Sequence, residues 1–220
     1  MTHSPQNDYR IIQQWIKNGE GHKIDFKTTI NSYPKIAKSI CAFANSRGGK
    51  IVVGVEDKGQ VIGVDIEEEK FALENAATEF CSPAIPLFFQ ILHYGPKYIL
   101  VAEVRESQHK PHYALSDKGS PQLLVRIADQ CVAASGFIKD MMLSGDLNNL
   151  MRSGIYKKNM ADDLQLFMGA KSLSVSAFAD MKKISDKDAR RRLVDYMLDG
   201  QLYLVNETDG VFIATDHLIK

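Results

Sequence analysis

Residues 19–63 read GEGHKIDFKTTINSYPKIAKSICAFANSRGGKIVVGVEDKGQVIG, and this stretch decides the fold. Ile24 and Phe26 alternate with Asp25 and Lys27, which predicts a short strand burying the first pair and exposing the second. Pro34 suits a first helical turn, with Ser32 before it as the cap. Ile36, Ala37, Ile40, Phe43 and Ala44 then recur at helical spacing, while Lys35 and Lys38 fall on the other face. Asn45 and the Gly48-Gly49 pair end that helix, because glycine supplies the left-handed backbone of a C-terminal turn. Residues 50–55 form an apolar strand, and Asp57-Lys58-Gly59 turns it back to pair with residues 61–64.

Upstream, residues 8–18 predict an amphipathic helix that buries Ile11, Ile12, Trp15 and Ile16 and stops at Gly19. The only tryptophan lies on this stripe and is read as a core residue rather than a base-stacking one. Downstream, residues 67–80 predict a helix with Phe71, Leu73, Ala76, Ala77 and Phe80 inward. Its acids Glu67, Glu68 and Glu69 suit the positive end of the helix dipole, which explains them without a metal. Residues 81–86 are a proline-fixed loop, and strands are predicted at 87–94, 98–104, 113–115 and 123–127. Arg126 points away from its neighbours Val125 and Ile127 and is read as a surface arginine that pairs with a carboxylate or contacts phosphate.

The pieces GE, IDFK, AFANSRGG, IVVGVEDKG and VIG, in this order, together with KPHYALSDKG and LLVRIADQ at 110–130, resemble the AlbA-type domain of the Schlafen family. The resemblance covers roughly residues 10–137. It implies nucleic-acid binding or transcriptional regulation. It also implies an alternative, since some animal members cleave structured RNA with three carboxylates and a divalent cation.

The whole chain has 220 residues, with 27 basic and 27 acidic side chains, the balance of an ordinary soluble globular protein. No apolar run of membrane-spanning length and no amino-terminal leader is seen, so a cytoplasmic protein without membrane contact is expected. Cys41, Cys81 and Cys131 are read as buried free thiols. The neutral total hides an asymmetry. Residues 10–50 carry eight basic against two acidic residues, and residues 51–80 carry two against eight. The first segment therefore supplies a candidate phosphate-binding face through Lys27, Lys35, Lys38, Arg47 and Lys50, with Arg126 added from the later strand.

The expected organisation is α+β: a mixed-sheet Schlafen AlbA_2-like domain at 1–137, a helical connector at 138–160, and a small winged-helix domain at 161–220. The last part rests on helices at 161–169, 174–182 and 185–199 followed by a hairpin, a pattern that resembles a winged helix-turn-helix. There the third helix would enter the major groove, offering Lys187, Arg190, Arg191 and Arg192. The segment is nevertheless net acidic, with ten acids against eight bases, which also fits a protein-interaction module.

The enzymatic alternative rests on Glu20, Asp25 and Glu56, which the nuclease resemblance would place around Mg²⁺ or Mn²⁺, with Asp57 as a substitute ligand. Asp25 and Glu56 stand where that pattern has the other acid, moving each carboxylate by about one methylene, and a shift of about 1 Å can cost a hundredfold in rate. The same residues serve equally as a loop cap, a partner for Lys27 and the start of a hairpin. No GxxxxGK[ST] loop and no helical histidine pair is present. The sequence thus reads as a DNA-binding transcriptional regulator, with DNA favoured over RNA, no cofactor, and a homo-oligomer compatible with it. A metal-dependent nuclease and a non-enzymatic adaptor are the alternatives.

Overall fold

The computed structural model describes residues 5–147, 155–170, 172–206 and 210–214. The parts of the expected connector at 148–154, and of the expected winged-helix domain at 171, 207–209 and 215–220, lie outside the described residues. The fold is mixed α+β, and the chain divides into two compact units, Met1–Ser107 with His112–Ala133, and Gln108–Pro111 with Ala134–Lys220.

In the first unit, helix α1 (Pro5–Asn18) precedes strand β1 (Ile24–Lys27), helix α2 (Tyr33–Asn45) and strand β2 (Gly49–Val53). Helix α3 (Ile66–Glu79) and strand β3 (Cys81–Ser82) lead to the hairpin of β4 (Leu87–Tyr94) and β5 (Lys97–Val104). Strands β6 (Tyr113–Leu115), β7 (Pro121–Ile127) and β8 (Gln130–Ala133) follow. Two four-stranded sheets result, ordered β1-β2-β5-β4 and β3-β6-β7-β8.

Helix α2 is buried from Ile36 almost to its end because it touches both sheets. Its core joins Ile36, Ile40 and Phe43 to Ile51, Val53, Leu100 and Ala102 of the first sheet and to Ala114 and Leu124 of the second. The opposite face of the first sheet is covered by α1, with Ile12, Phe26, Val52, Leu92, Ile99 and Val101 packed together. Asn45, at the helix end, donates to the carbonyls of His112 and Leu124 at 2.7 and 2.9 Å and accepts from the His112 amide at 2.8 Å. Each polar atom of that buried amide is thereby satisfied, and the helix is tied to the second sheet. Gly48 has φ +70°, and a Cβ there would lie 2.7 Å from the Val104 carbonyl oxygen, so only glycine lets the chain pass this close to β5.

The structure departs from the sequence expectations at several places. Residues 61–64 do not form a strand with β2: only an isolated Val55–Val61 bridge forms. The reason is that β2 is a central strand, its edges already taken by parallel β1 and antiparallel β5. Phe71, placed inward by periodicity, is 63% exposed, while Leu73, Ala76 and Ala77 are buried. Strands β3 and β8 were not anticipated, and residues 81–82, expected in a loop, pair with β6. Ser32 takes the N-cap position of α2 but its side chain makes no capping bond.

The second unit contains α4 (Gly136–Leu143), α5 (Ile155–Gly169), β9 (Leu173–Ser174), α6 (Val175–Lys182), α7 (Asp186–Leu198), β10 (Leu202–Asn206) and β11 (Val211–Ala214). Its three strands are ordered β10-β11-β9. Helix α5 begins at Ile155, inside the stretch expected to be a connector. Ser174 and Ser185 cap α6 and α7 through bonds of 3.1 Å from Ala177 and Asp188 amides, each worth about 1 kcal/mol. Ala189, Leu193, Val194, Met197 and Leu198 are buried on α7 as their spacing predicts. Among the described residues no helix is long and apolar enough to cross a membrane.

Candidate functional site

Asp25 pairs in register with Ile51, so it faces α2 rather than solvent, and it is 4% exposed. The exposure expected from strand alternation is corrected here: both faces of this sheet are covered, so alternation only chooses between two interiors. Asp25 Oδ1 accepts from Arg126 Nη2 at 3.3 Å, and Oδ2 accepts from Ser39 Oγ at 2.9 Å and meets Lys27 Nζ at 3.0 Å. Glu20 Oε1 accepts from the Phe26 amide at 2.7 Å. Burial lifts the Glu20 carboxyl above its ordinary value, opposed by the Phe26 amide and reinforced by the neighbouring Asp25.

Glu56 opens a turn, its amide donating to Gln60 and its carbonyl accepting from Gly59, and Asp57 is exposed. Among the described residues no three His, Cys, Asp or Glu side chains are grouped to hold a metal ion. Glu20 and Asp25 are neighbours, but the hard-oxygen site that Mg²⁺ or Mn²⁺ would need from Glu20, Asp25, Glu56 or Asp57 is not assembled. The donor set also does not fit, because both Asp25 oxygens are already engaged by cations and a hydroxyl.

Arg126 is likewise corrected. It is 2% exposed, donates to the carbonyls of Gly21 and Ile24 at 3.1 and 3.2 Å, and lies over the Phe43 ring at 4.9 Å. It clamps β1 to the second sheet across the end of α2, and none of its surface is left for a phosphate.

The remaining candidate basic residues of this unit lie along α2 or just beyond its two ends. At the helix start, Lys27 and Lys35 line a hollow of about 130 Å³ with Thr29, Asn31 and Ser32. Lys38 sits half-buried on the same helix. At the other end, Arg47 and Lys50 line an open groove of about 490 Å³ together with Lys23, Arg105 and Trp15. Lys23 Nζ donates to the carbonyls of Arg47 and Gly48, which ties the entry to β1 to the glycine turn. Lys50 and Arg105 lie 3.4 and 3.3 Å from Glu103. Burial works against the charge on Glu103, but these two cations more than offset it and hold its carboxyl below the usual range. Arg105 also lies over the Phe88 ring at 3.8 Å. With Glu106 as the other acid, four cations face two carboxylates.

Sequence reasoning missed Lys23, Arg105 and Trp15 as groove residues. Arg105 follows β5, more than fifty residues from Lys50, and nothing local marks it. Trp15 was placed in the core; it does pack beside the α1 cluster, yet it also forms part of the groove wall.

In the second unit, two of the three consecutive arginines turn inward. Arg192 Nη1 meets Asp163 Oδ2 at 3.2 Å, where Asp163 also receives Lys182 at 2.6 Å and the Tyr196 hydroxyl at 2.7 Å. Arg191 Nη2 meets Asp146 at 2.7 Å. Burial works against the Asp146 charge, but Lys187, Ser144 and Arg191 outweigh it and hold this carboxyl low. Lys187 and Arg190 stay exposed, the latter over the Phe137 ring at 5.4 Å. The expectation that Arg190, Arg191 and Arg192 together offer a DNA-gripping face is corrected to Arg190 alone, because the buried Asp163 holds Arg192 and the part-exposed Asp146 holds Arg191.

The comparison with curated proteins finds no match. Among solved structures, the N-terminal domain of a RecG-related protein from Nitrosomonas europaea is 23% identical, with 61% of this chain and 92% of that chain covered and a TM-score of 0.43. A crystal structure of a Corynebacterium diphtheriae protein is 17% identical, covering 68% of this chain and 34% of that one, with a TM-score of 0.42. The family model described as Schlafen, AlbA_2 matches residues 20–135, more than half the chain. This segment contains Lys23, Arg47, Lys50 and Arg105 of the groove, the GG turn and the Asp25–Arg126 clamp, while Trp15 precedes it, and the chain belongs to the Schlafen AlbA_2 family.

Proposed function

We propose that this protein binds nucleic acid through the groove at the end of α2, and that it serves as a DNA-binding transcriptional regulator rather than a nuclease. The observation that carries this reading is the gathering of Lys23, Arg47, Lys50 and Arg105 from three separate segments around one open groove. Phosphate neutralisation supplies most non-specific affinity, and a concave basic surface concentrates that attraction. The regulator role draws support from the second unit, where α5, α6, α7 and a small sheet suit a winged helix-turn-helix, with Lys187 and Arg190 as its exposed cations on α7. The engaged oxygens of Asp25 weigh against hydrolysis.

The test is fluorescence anisotropy of labelled DNA and RNA against salt concentration, with the full chain and a Lys23→Ala, Arg105→Ala variant. If each residue meets a phosphate, the slope of log affinity against log salt falls by about two in the variant. An unchanged slope removes the groove from the binding face.

A further inference from the structure

We infer that the groove receives an unpaired nucleotide, its base against Trp15 and its phosphates on the surrounding cations. This deepens the nucleic-acid reading above and rests on it. A duplex presents its phosphates on a convex surface and needs only a basic face to meet it. Here the basic residues instead surround a concavity of about 490 Å³, within the range of roughly 300–1,000 Å³ that encloses small organic ligands. One wall is the partly buried indole of Trp15, which α1 holds against the first sheet. The rim carries Lys23, Arg47, Lys50 and Arg105. Arg105 contacts Glu103 at 3.3 Å and the Phe88 ring at 3.8 Å, two contacts that favour one placement of its guanidinium.

An aromatic side chain in the wall of a cationic groove is the chemistry of single-strand recognition: bases stack on aromatic side chains and the backbone follows the charge. Stacking is tolerant of base identity, so little sequence preference follows. The two carboxylates at the rim, Glu103 and Glu106, disfavour crowded phosphates, which suits one exposed nucleotide better than the paired backbones of a duplex.

Trp15 is the only tryptophan, so it reports on its own site. The experiment titrates the full chain with oligo(dT), oligo(U) and a blunt DNA duplex of equal length at low salt. It follows tryptophan emission, corrected with free tryptophan, alongside anisotropy of the labelled nucleic acid. The expected result is strong quenching by both single strands and little by the duplex. In the Trp15→Leu variant, which keeps an apolar side chain on the α1 stripe, single-strand affinity falls about tenfold while duplex affinity holds. Duplex binding by anisotropy without tryptophan quenching by single strands overturns the inference and leaves the nucleic-acid reading intact. An equal loss for both ligands in Trp15→Leu reduces Trp15 to packing and also overturns it. Absence of binding to all three removes both readings together.

Discussion

Arg126 Nη2 lies 3.3 Å from Asp25 Oδ1, and the two side chains are only 2% and 5% exposed. They stand 101 positions apart in the chain and in different sheets, so this contact closes the first unit around α2. Both residues looked functional as isolated letters of the sequence. Their burial assigns them instead to architecture.

Removing one partner of a buried pair leaves an uncompensated charge and costs about 3–5 kcal/mol. Arg126→Met is expected at the low end of that range, because Lys27 remains 3.0 Å from Asp25. Urea denaturation measures the cost, and the Asp25→Asn, Arg126→Met double variant should recover part of it. A loss under about 1 kcal/mol, the scale of an exposed pair, would contradict the clamp.

Asp163 offers a second case, in the other unit. It is fully buried and holds Lys182, Arg192 and the Tyr196 hydroxyl. Asp163→Asn should destabilise by about 3 kcal/mol or more, since two cations lose a fully buried counter-charge. Asp146→Asn should cost less, about 1 kcal/mol, because Asp146 and its partners Arg191 and Lys187 are 22%, 21% and 62% exposed and water screens both pairs. Thermal unfolding of the two variants, side by side, checks the ranking.

Glu20 ties stability to pH. Its carboxyl is raised above the ordinary 4.5, chiefly by burial. The stabilising protonated form is fully present below the ordinary value and is lost as pH rises through the folded one. Glu20→Gln should therefore flatten the decline in melting temperature that begins above about pH 4.5 and approach or exceed the parent at neutral pH. An unchanged profile would mean that Glu20 does not titrate abnormally.

Lys35 and Lys38 lie on the other side of α2's length from the groove, along a helix of 13 residues, or about 20 Å. If the nucleic-acid backbone continues past the groove to the helix start, replacing both with Ala lowers the salt slope by about one to two. A slope equal to the parent's would confine contact to the groove.

Cleavage is the last test. Purified protein with Mg²⁺ or Mn²⁺ should cut structured RNA and single-stranded DNA no faster than a Glu20→Gln, Glu56→Gln variant, because the acids do not assemble around a common point. Metal-dependent cutting that this variant lacks would make the protein a nuclease.

The sequence alone determined the helices and some of the strands. The stripe Ile36, Ala37, Ile40, Phe43, Ala44 and the Gly48-Gly49 stop define α2, because a helix period and a left-handed turn are short-range properties. The inward stripe of α7 follows for the same reason. Alternation in residues 24–27 assigned the two faces of β1 but could not say that both are covered. That depends on α1 and α2 packing on opposite sides of the sheet. The partners of Arg126, Arg191 and Arg192 were equally beyond local reading. A cation's role is set by which carboxylate the tertiary fold brings within a few ångströms, and those carboxylates are distant in sequence. The groove joining Trp15, Lys23, Lys50 and Arg105 exists only because a helix, two strand ends and a glycine turn meet at one edge of the sheet, where long-range packing brings their charges together.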